Sequence, residues 1–259
     1  HKVQNKKWRP EEKLELIQQV LAGRPNQSVA IEAGINSGML YQWVQKYKIQ
    51  GYNGLVENKR GRPSRNPDMK KTVNSKLGDV TISVATTDDA EKLLSIYAPY
   101  VENTAITFEY DVPSLSEFKE RIENISARYP YIKAEQNGEI LGYAYACAFK
   151  SRKAYDYSVE TTIYLDQSKR AMGIGRILYE ALEDSLKNMG ILNMNACIAL
   201  PKENDPHLTD ASMHFHEAMG FKLVGTFHDS GYKFDTWYDM IWMEKMIGEH
   251  GKNMPPVKF

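Results

Sequence analysis

The segment "ENKRGRPSRNPDMKKTVNSKLG", residues 57–78, is what most constrains how this chain can fold. It is rich in Pro, Gly, Asn and basic side chains and has no apolar period, the composition of a connecting stretch. A chain interrupted in this way closes two cores rather than one, so residues 1–56 and 79–259 are read as separate domains. Their charges differ sharply. Residues 1–78 hold 10 Lys and 5 Arg against 5 Glu and 1 Asp, a net of +9. Residues 79–259 carry 18 basic and 27 acidic groups, a net of −9, so a formal net charge of zero hides the segregation. Each half is therefore assigned its own partner, a polyanion for the basic one.

Within 1–56 the pattern is helical. "PEEKLELIQQVLA" (10–22) opens with Pro10, sets Glu11 and Glu12 at its positive end and is closed by Gly23, as helix termini favour. Leu14, Ile17 and Leu21 share its apolar face. A short helix from Ser28 to Ala33 meets a turn at Gly34, and a second begins near Asn36 or Ser37, both good N-caps. Leu40, Trp43, Val44 and Tyr47 form its apolar stripe, while Ser37, Tyr41, Gln42, Gln45 and Lys48 lie largely off it. Two short helices around a glycine turn make a helix-turn-helix, whose second helix can enter a major groove.

"AIEAGINSGMLYQWVQKYKIQGYNGL" resembles the helix-turn-helix at the start of insertion-sequence transposases, over roughly residues 8–56. The resemblance implies duplex DNA as a partner, contacted by Ser37, Tyr41, Gln42 and Gln45. A small helical bundle without a DNA role is the competing reading. In the linker, "KRGRPSR" (Lys59 to Arg65) resembles an AT-hook core. Arg60 and Arg62 would then lie in a narrow A·T-rich minor groove; a merely soluble basic linker is the alternative.

From Val80 strands and helices intermingle. Strands are expected at "VTISVAT", on both sides of Asn137-Gly138, at "YSVETTIYL", at "ILNMNACIAL" and near 221–227 and 237–246. Helices are expected at "TDDAEKLLSIYAPYVEN", "SLSEFKERIENISARY", 174–189 and "ASMHFHEAM". The order gives an α/β or α+β domain. Between the strand ending at Leu165 and the strongly amphipathic 174–189 helix stands "KRAMGIGR". The backbone N–H groups of 171–175 and the helix's positive end converge there, where a pyrophosphate fits. Gly173 and Gly175 permit close approach and Arg170 adds charge. A third glycine is missing at Leu178, against a dinucleotide site, and no Gly-Lys-Ser/Thr follows, against a P-loop. Taken alone, the pair of glycines is also an ordinary helix start.

The ordered motifs "YLDQSKRAMGIGRILYEAL", "FKSRKAYDYSVETTIYL", "MHFHEAMGF" and "GYKFDTWYDM" are together similar to the GNAT N-acetyltransferase superfamily, in its phosphinothricin acetyltransferase branch, over about residues 80–247. The resemblance implies a GNAT fold with a central mixed sheet and acetyl-CoA as co-substrate. It implies Arg170, Ala171, Met172, Gly173, Ile174 and Gly175 at the pyrophosphate, and backbone groups of Ile163, Tyr164 and Leu165 along the pantetheine arm. Glu160, whose strand face also carries Thr162 and Tyr164, matches the general base. His216 matches a histidine that aids proton transfer or orientation. An exposed strand carboxylate and a packing histidine are the plain alternatives. His214, two residues away, is read as a surface or packing residue, and the pair cannot make a two-histidine metal site. Where the family places an Asn three residues before Ser212, Thr209 stands; Asn204 and Ser212 are the candidates for that coenzyme contact.

Lys150, Arg152 and Tyr155 precede the Glu160 strand and Phe108 sits in "NTAITFEYD". By analogy they surround a small amino-acid-like amine, a guanidinium gripping its acid group; a solvated strand end is the alternative for the basic pair. Cys147 and Cys197 lie in apolar runs and read as reduced core thiols without metal-site spacing. No run reaches the roughly 18 apolar residues of a membrane helix, and "HKVQNKKWRP" has no secretory character. The expectation is a cytoplasmic acetyltransferase without metal, capable of forming a homodimer. A regulator that senses acetyl-CoA or an amine without turnover, and a protein-lysine acetyltransferase, are the rival functions.

Overall fold

A computed structural model describes residues 8–50, Leu55, 69–75, 78–169 and 171–259. The chain divides into two compact units, His1–Arg60 and Gly61–Phe259.

The first unit holds three helices, α1 (Pro10–Leu21), α2 (Asn26–Glu32) and α3 (Ser37–Gln50). Glu12 accepts the backbone N–H of Arg9 at 2.8 Å, closing the start of α1. Gly34 takes a left-handed φ of 66°, and Asn36 caps α3 by accepting the Gly38 N–H at 2.7 Å. Ile17, Val29, Ala30, Leu40, Val44 and Leu55 form the core, with Leu14, Trp43 and Tyr47 against it. Leu21, expected on the apolar face, is 47% exposed. The buried stripe of α1 is centred on Lys13 and Ile17, which leaves Leu21 on its flank. Lys13 buries its stem and donates to the Leu55 carbonyl at 3.2 Å.

The second unit runs β1 (Lys70–Ser75), β2 (Gly78–Val84), α4 (Ala90–Asn103), α5 (Leu115–Ser126), β3 (Tyr131–Gln136), β4 (Glu139–Ala148) and β5 (Ser158–Leu165). It continues through α6 (Ile174–Met189), β6 (Asn193–Leu200), α7 (Ala211–Ala218), β7 (Lys222–Lys233) and β8 (Thr236–Met246). The strands form one sheet in the order β1-β2-β3-β4-β5-β6-β8-β7. Neighbours are antiparallel except β5 and β6, which are parallel. The sheet is thus mixed. Apolar residues of α6 pack on one face, and α4 and α5 cover a tyrosine-rich patch with Tyr131 and Tyr143 on the other. Asn137 and Gly138, both at positive φ, make the expected tight turn between β3 and β4.

Residues 70–75, read from sequence as the end of the linker, form β1 and pair with β2 from Lys70↔Ser83 to Ser75↔Gly78. "KKTVNS" lies at the sheet edge and is mostly exposed. Such a strand needs backbone partners, not an apolar alternation.

Candidate functional site

The parallel ladder between β5 and β6 is short. It runs Ser158↔Asn193, Val159↔Met194 and Glu160↔Asn195, and there it stops. Side chains tie off its end: Asn195 Nδ2 donates to the Val159 carbonyl at 3.0 Å, and Thr161 Oγ1 donates to the Asn195 carbonyl at 3.1 Å. Beyond this point β5 keeps its partner β4 on one side only. A cleft of about 330 Å3 occupies the gap, lined among others by Phe108, Tyr145, Glu160, Ile163, Tyr164, Tyr179, Cys197, Ser212 and His216.

Glu160 therefore stands at the mouth of the split, half-buried. Burial lifts its pKa above the ordinary carboxylate range, and the nearby positive charge of Lys150 partly opposes this. Cys147 on β4 is its cross-strand neighbour, its thiol pushed up to about 12 by burial and by the Glu160 charge. Cys197, expected as a core thiol, is exposed and lines the cleft instead, two residues past the end of the β5–β6 ladder at Asn195. Its thiol is pushed up to about 11 by the same two causes, so both cysteines are free thiols in neutral form near pH 7.

His216 is buried. Its Nδ1 lies 2.7 Å from the Ser212 carbonyl and its Nε2 2.8 Å from the Tyr179 hydroxyl. Burial pushes its pKa down to about 4, partly offset by the Ser212 carbonyl, which leaves a neutral ring near pH 7. His214 is exposed and faces Asp210 and Glu217 at 3.1 and 3.0 Å, the surface role expected for it. Tyr179 and Thr161 lie inside the quoted motifs without being singled out there, and Asn195 lies outside them. A buried tyrosine on the α6 stripe does carry one signal, since its hydroxyl needs a partner.

The residues of the glycine loop differ in their surroundings. Ala171 and Gly173 have positive φ, 62° and 84°, and Gly173 starts α6 with no side-chain cap. The first N–H groups of α6 thus point out of the helix end without intrahelical partners. Gly175 is closely packed on its Cα side: a Cβ there would lie 3.1 Å from Phe215 and 3.4 Å from Leu165. Met172 packs against the core, Ile174 is buried at the first helical position, and Arg170 lies outside the described residues. Ile163 and Tyr164 line the cleft; the Leu165 carbonyl accepts the Tyr100 hydroxyl at 2.7 Å.

Phe108 lines the cleft, and Gly231 leaves room for its ring. Lys150, Arg152 and Tyr155 are not among the cleft-lining residues. Lys150 is exposed, its ammonium 5.3 Å from the Trp242 ring centre, and it reaches the site by its charge alone. Arg152 and Tyr155 sit on a turn past the end of β4 that is held elsewhere. Asp156 pairs with Arg128 at 3.6 Å, and the Tyr157 hydroxyl donates to the Pro255 carbonyl at 3.1 Å. Asn204 lies in a second pocket with Glu203, Asp205, Thr209 and Asp210, apart from Ser212. Among the described residues no group of three or more His, Cys, Asp or Glu is placed to hold a metal, and no helix is long and apolar enough to cross a membrane.

In the first unit, α3 presents Ser37, Tyr41 and Gln42 as exposed side chains and Gln45 as half-buried, while Leu40 and Val44 face the core. Arg60 and Arg62 lie outside the described residues.

Comparison with known proteins agrees with both units. The profile of the acetyltransferase (GNAT) domain matches residues 82–242, and that of a helix-turn-helix domain matches residues 12–64. The phosphinothricin N-acetyltransferase of Streptomyces viridochromogenes is 35% identical over 161 residues, 62% of this chain and 84% of that protein. An L-methionine sulfoximine/L-methionine sulfone acetyltransferase of Salmonella typhimurium is 30% identical, over 47% of this chain and 67% of its own length. The crystal structure of a phosphinothricin acetyltransferase from Sinorhizobium meliloti in complex with acetyl-CoA superposes with a TM-score of 0.62 at 33% identity, covering 69% of this chain and 94% of that one.

Proposed function

Since this chain belongs to the GNAT family of N-acetyltransferases, with acetyl-CoA as its acetyl donor, we propose that its acceptor is the amine of a small amino-acid-like molecule of the phosphinothricin or methionine-sulfoximine kind. The observation that carries the reading is the split of β5 from β6 directly past Glu160. The open edge of β5 at Ile163 and Tyr164 offers backbone groups to the pantetheine arm as an added strand would. The uncapped start of α6, with residues 171–175 and Arg170, takes the pyrophosphate. Ser212 lines the same cleft; Asn204 is the weaker coenzyme contact.

Glu160 then receives the amine's proton, directly or through water. The freed lone pair attacks the thioester carbonyl, a backbone N–H of β5 steadies the oxyanion, the C–N bond forms as the C–S bond breaks, and the thiolate takes up a proton. Phe108 walls the acceptor side, and Lys150 tunes Glu160. An acid-group contact by Arg152 or Tyr155 requires a rearrangement of their turn.

The first unit binds duplex DNA through Ser37, Tyr41, Gln42 and Gln45, with Arg60 and Arg62 in an A·T-rich minor groove. The +9 charge of residues 1–78 and the exposed face of α3 support this. Pairing of two chains is supported by the outer strand β7, where Leu223, Val224 and Phe227 are exposed; the opposite outer strand β1 is blunted by Lys70 and Lys71. A cytoplasmic setting accords with the two free thiols. The test is coenzyme A thiol release with a panel of free amino acids that includes phosphinothricin and L-methionine sulfoximine. Turnover with one of these and none with a lysine peptide is the expected result. Acetyl-CoA binding without thiol release for any amine would favour a sensor.

A further inference from the structure

His216 has no free ring nitrogen. The Ser212 carbonyl only accepts, so the Nδ1 at 2.7 Å from it carries the proton. The neutral ring then has a bare Nε2, and the Tyr179 hydroxyl 2.8 Å away must be the donor. Tyr179 has a second oxygen neighbour, Thr161 Oγ1 at 3.4 Å, but Thr161 gives its proton to the Asn195 carbonyl. The phenol proton is thus committed to His216, and the phenol oxygen keeps lone pairs at the inner end of the cleft. The ring is held in that place by Phe215 and Phe221, stacked at 5.5 and 5.9 Å.

We propose that His216 acts on acetyl transfer only through Tyr179: the imidazole is a positioning residue that takes the phenol proton and so turns the phenol oxygen's lone pairs to the cleft, where they accept the S–H of the thiol product. The proposal rests on the acetyl-transfer reading of the cleft. It assigns a role to a side chain on α6, and it removes His216 from the candidates for direct proton exchange with either substrate.

The test uses the full chain, with phosphinothricin as acceptor, and compares Tyr179→Phe, His216→Ala, the double variant and His216→Gln. Tyr179→Phe and His216→Ala should lower kcat by similar factors, roughly tenfold each for the loss of one buried hydrogen bond. The double variant should be no worse than either. His216→Gln should recover most of the loss. Its amide oxygen can accept the Tyr179 proton and its NH2 can donate to Ser212, yet it cannot exchange a proton near neutral pH. Nitrogen-15 spectra of labelled histidines, with His216 assigned by its absence in His216→Ala, should show Nδ1–H and a bare Nε2 from pH 6 to 9. Tyr179→Phe should move the protonation of His216 to higher pH, because the Nε2 lone pair is released. The titratable groups lining the same cleft are Tyr145, Glu160, Tyr164, Tyr179 and Cys197; Phe215 and Phe221 carry no charge, and His214 and Glu217 of its own helix face each other at the surface. A spectrum with Nε2–H overturns the proposal. So does multiplicative loss in the double variant, or His216→Gln as poor as His216→Ala. If the wild-type chain acetylates no amine, the acceptor reading fails while the spectrum still decides the pairing.

Discussion

A carboxylate that takes a proton near neutral pH works best with its pKa lifted, and Glu160 is lifted by burial while Lys150 pulls it back. Glu160→Gln is expected to keep acetyl-CoA binding and to lower turnover by roughly 10²–10⁴. The loss should shrink at high pH, where more of the amine is already neutral; near-normal turnover at pH 7 would remove Glu160 as the base. Lys150→Met takes away a cation that favours the charged carboxylate, so the Glu160 pKa rises further. The acid limb of the kcat/KM profile should move to higher pH, and an unmoved limb would mean that Lys150 does not reach the base. The place of Glu160 at the cleft was legible from the motif resemblance, since strand parity alone names its face-mates and leaves an exposed strand carboxylate as the plain reading. Tyr179 was not, since among the buried residues of α6 it reads as one more apolar side chain. Thr161 and Asn195 meet only because a parallel pairing reaches across the whole of α6, which no local pattern announces. The cysteine reading failed at Cys197 for the related reason that an apolar run does not tell where a strand loses its neighbour.

Among the elements, α6 was read most closely: its expected span, 174–189, is the observed Ile174–Met189. The two glycines at its start looked alike in sequence and are not alike in space. Gly173 has φ 84° and open space around it, so Gly173→Ala costs backbone strain alone, on the order of 1 kcal/mol. Gly175 has an ordinary φ and a crowded Cβ position, so Gly175→Ala makes the Phe215 ring give way, and a ring held in place turns this into a loss of up to about 1–3 kcal/mol. The discriminating measurement is thermal unfolding with a second change, Phe215→Leu. That change should restore part of the Gly175→Ala loss and none of the Gly173→Ala loss. Equal behaviour of the two pairs would return Gly175 to a purely phosphate-side role. At β1 the sequence misled in the opposite direction: a polar edge strand reads as linker, because its stability comes from the ladder to β2 rather than from anything it buries.

For the whole chain, the opposite charges of the two halves can be read without a fold, since net charge speaks to partners rather than to architecture. A +9 segment is expected to attract polyanions of any kind, and its retention on DNA by charge alone would decide nothing about recognition. The full chain should bind duplex DNA with an affinity that falls steeply with salt, because each phosphate contact releases counterions. Two further contributions should then separate. Gln42→Ala with Gln45→Ala should erase a sequence preference while sparing most of the affinity, because side-chain amides on a helix laid in a major groove pair with base edges rather than with phosphates. Arg60→Ala with Arg62→Ala should instead erase a preference for A·T-rich duplex, since minor-groove readout distinguishes little else. The deciding measurement is competition between a selected site and random duplex at about 150 mM salt, where exposed charges are screened beyond roughly 8 Å. Stronger competition by the selected site makes the first unit a sequence reader joined to an acetyltransferase. Equal competition reduces it to a polyanion-docking module, and the chemistry at Glu160 stands without it.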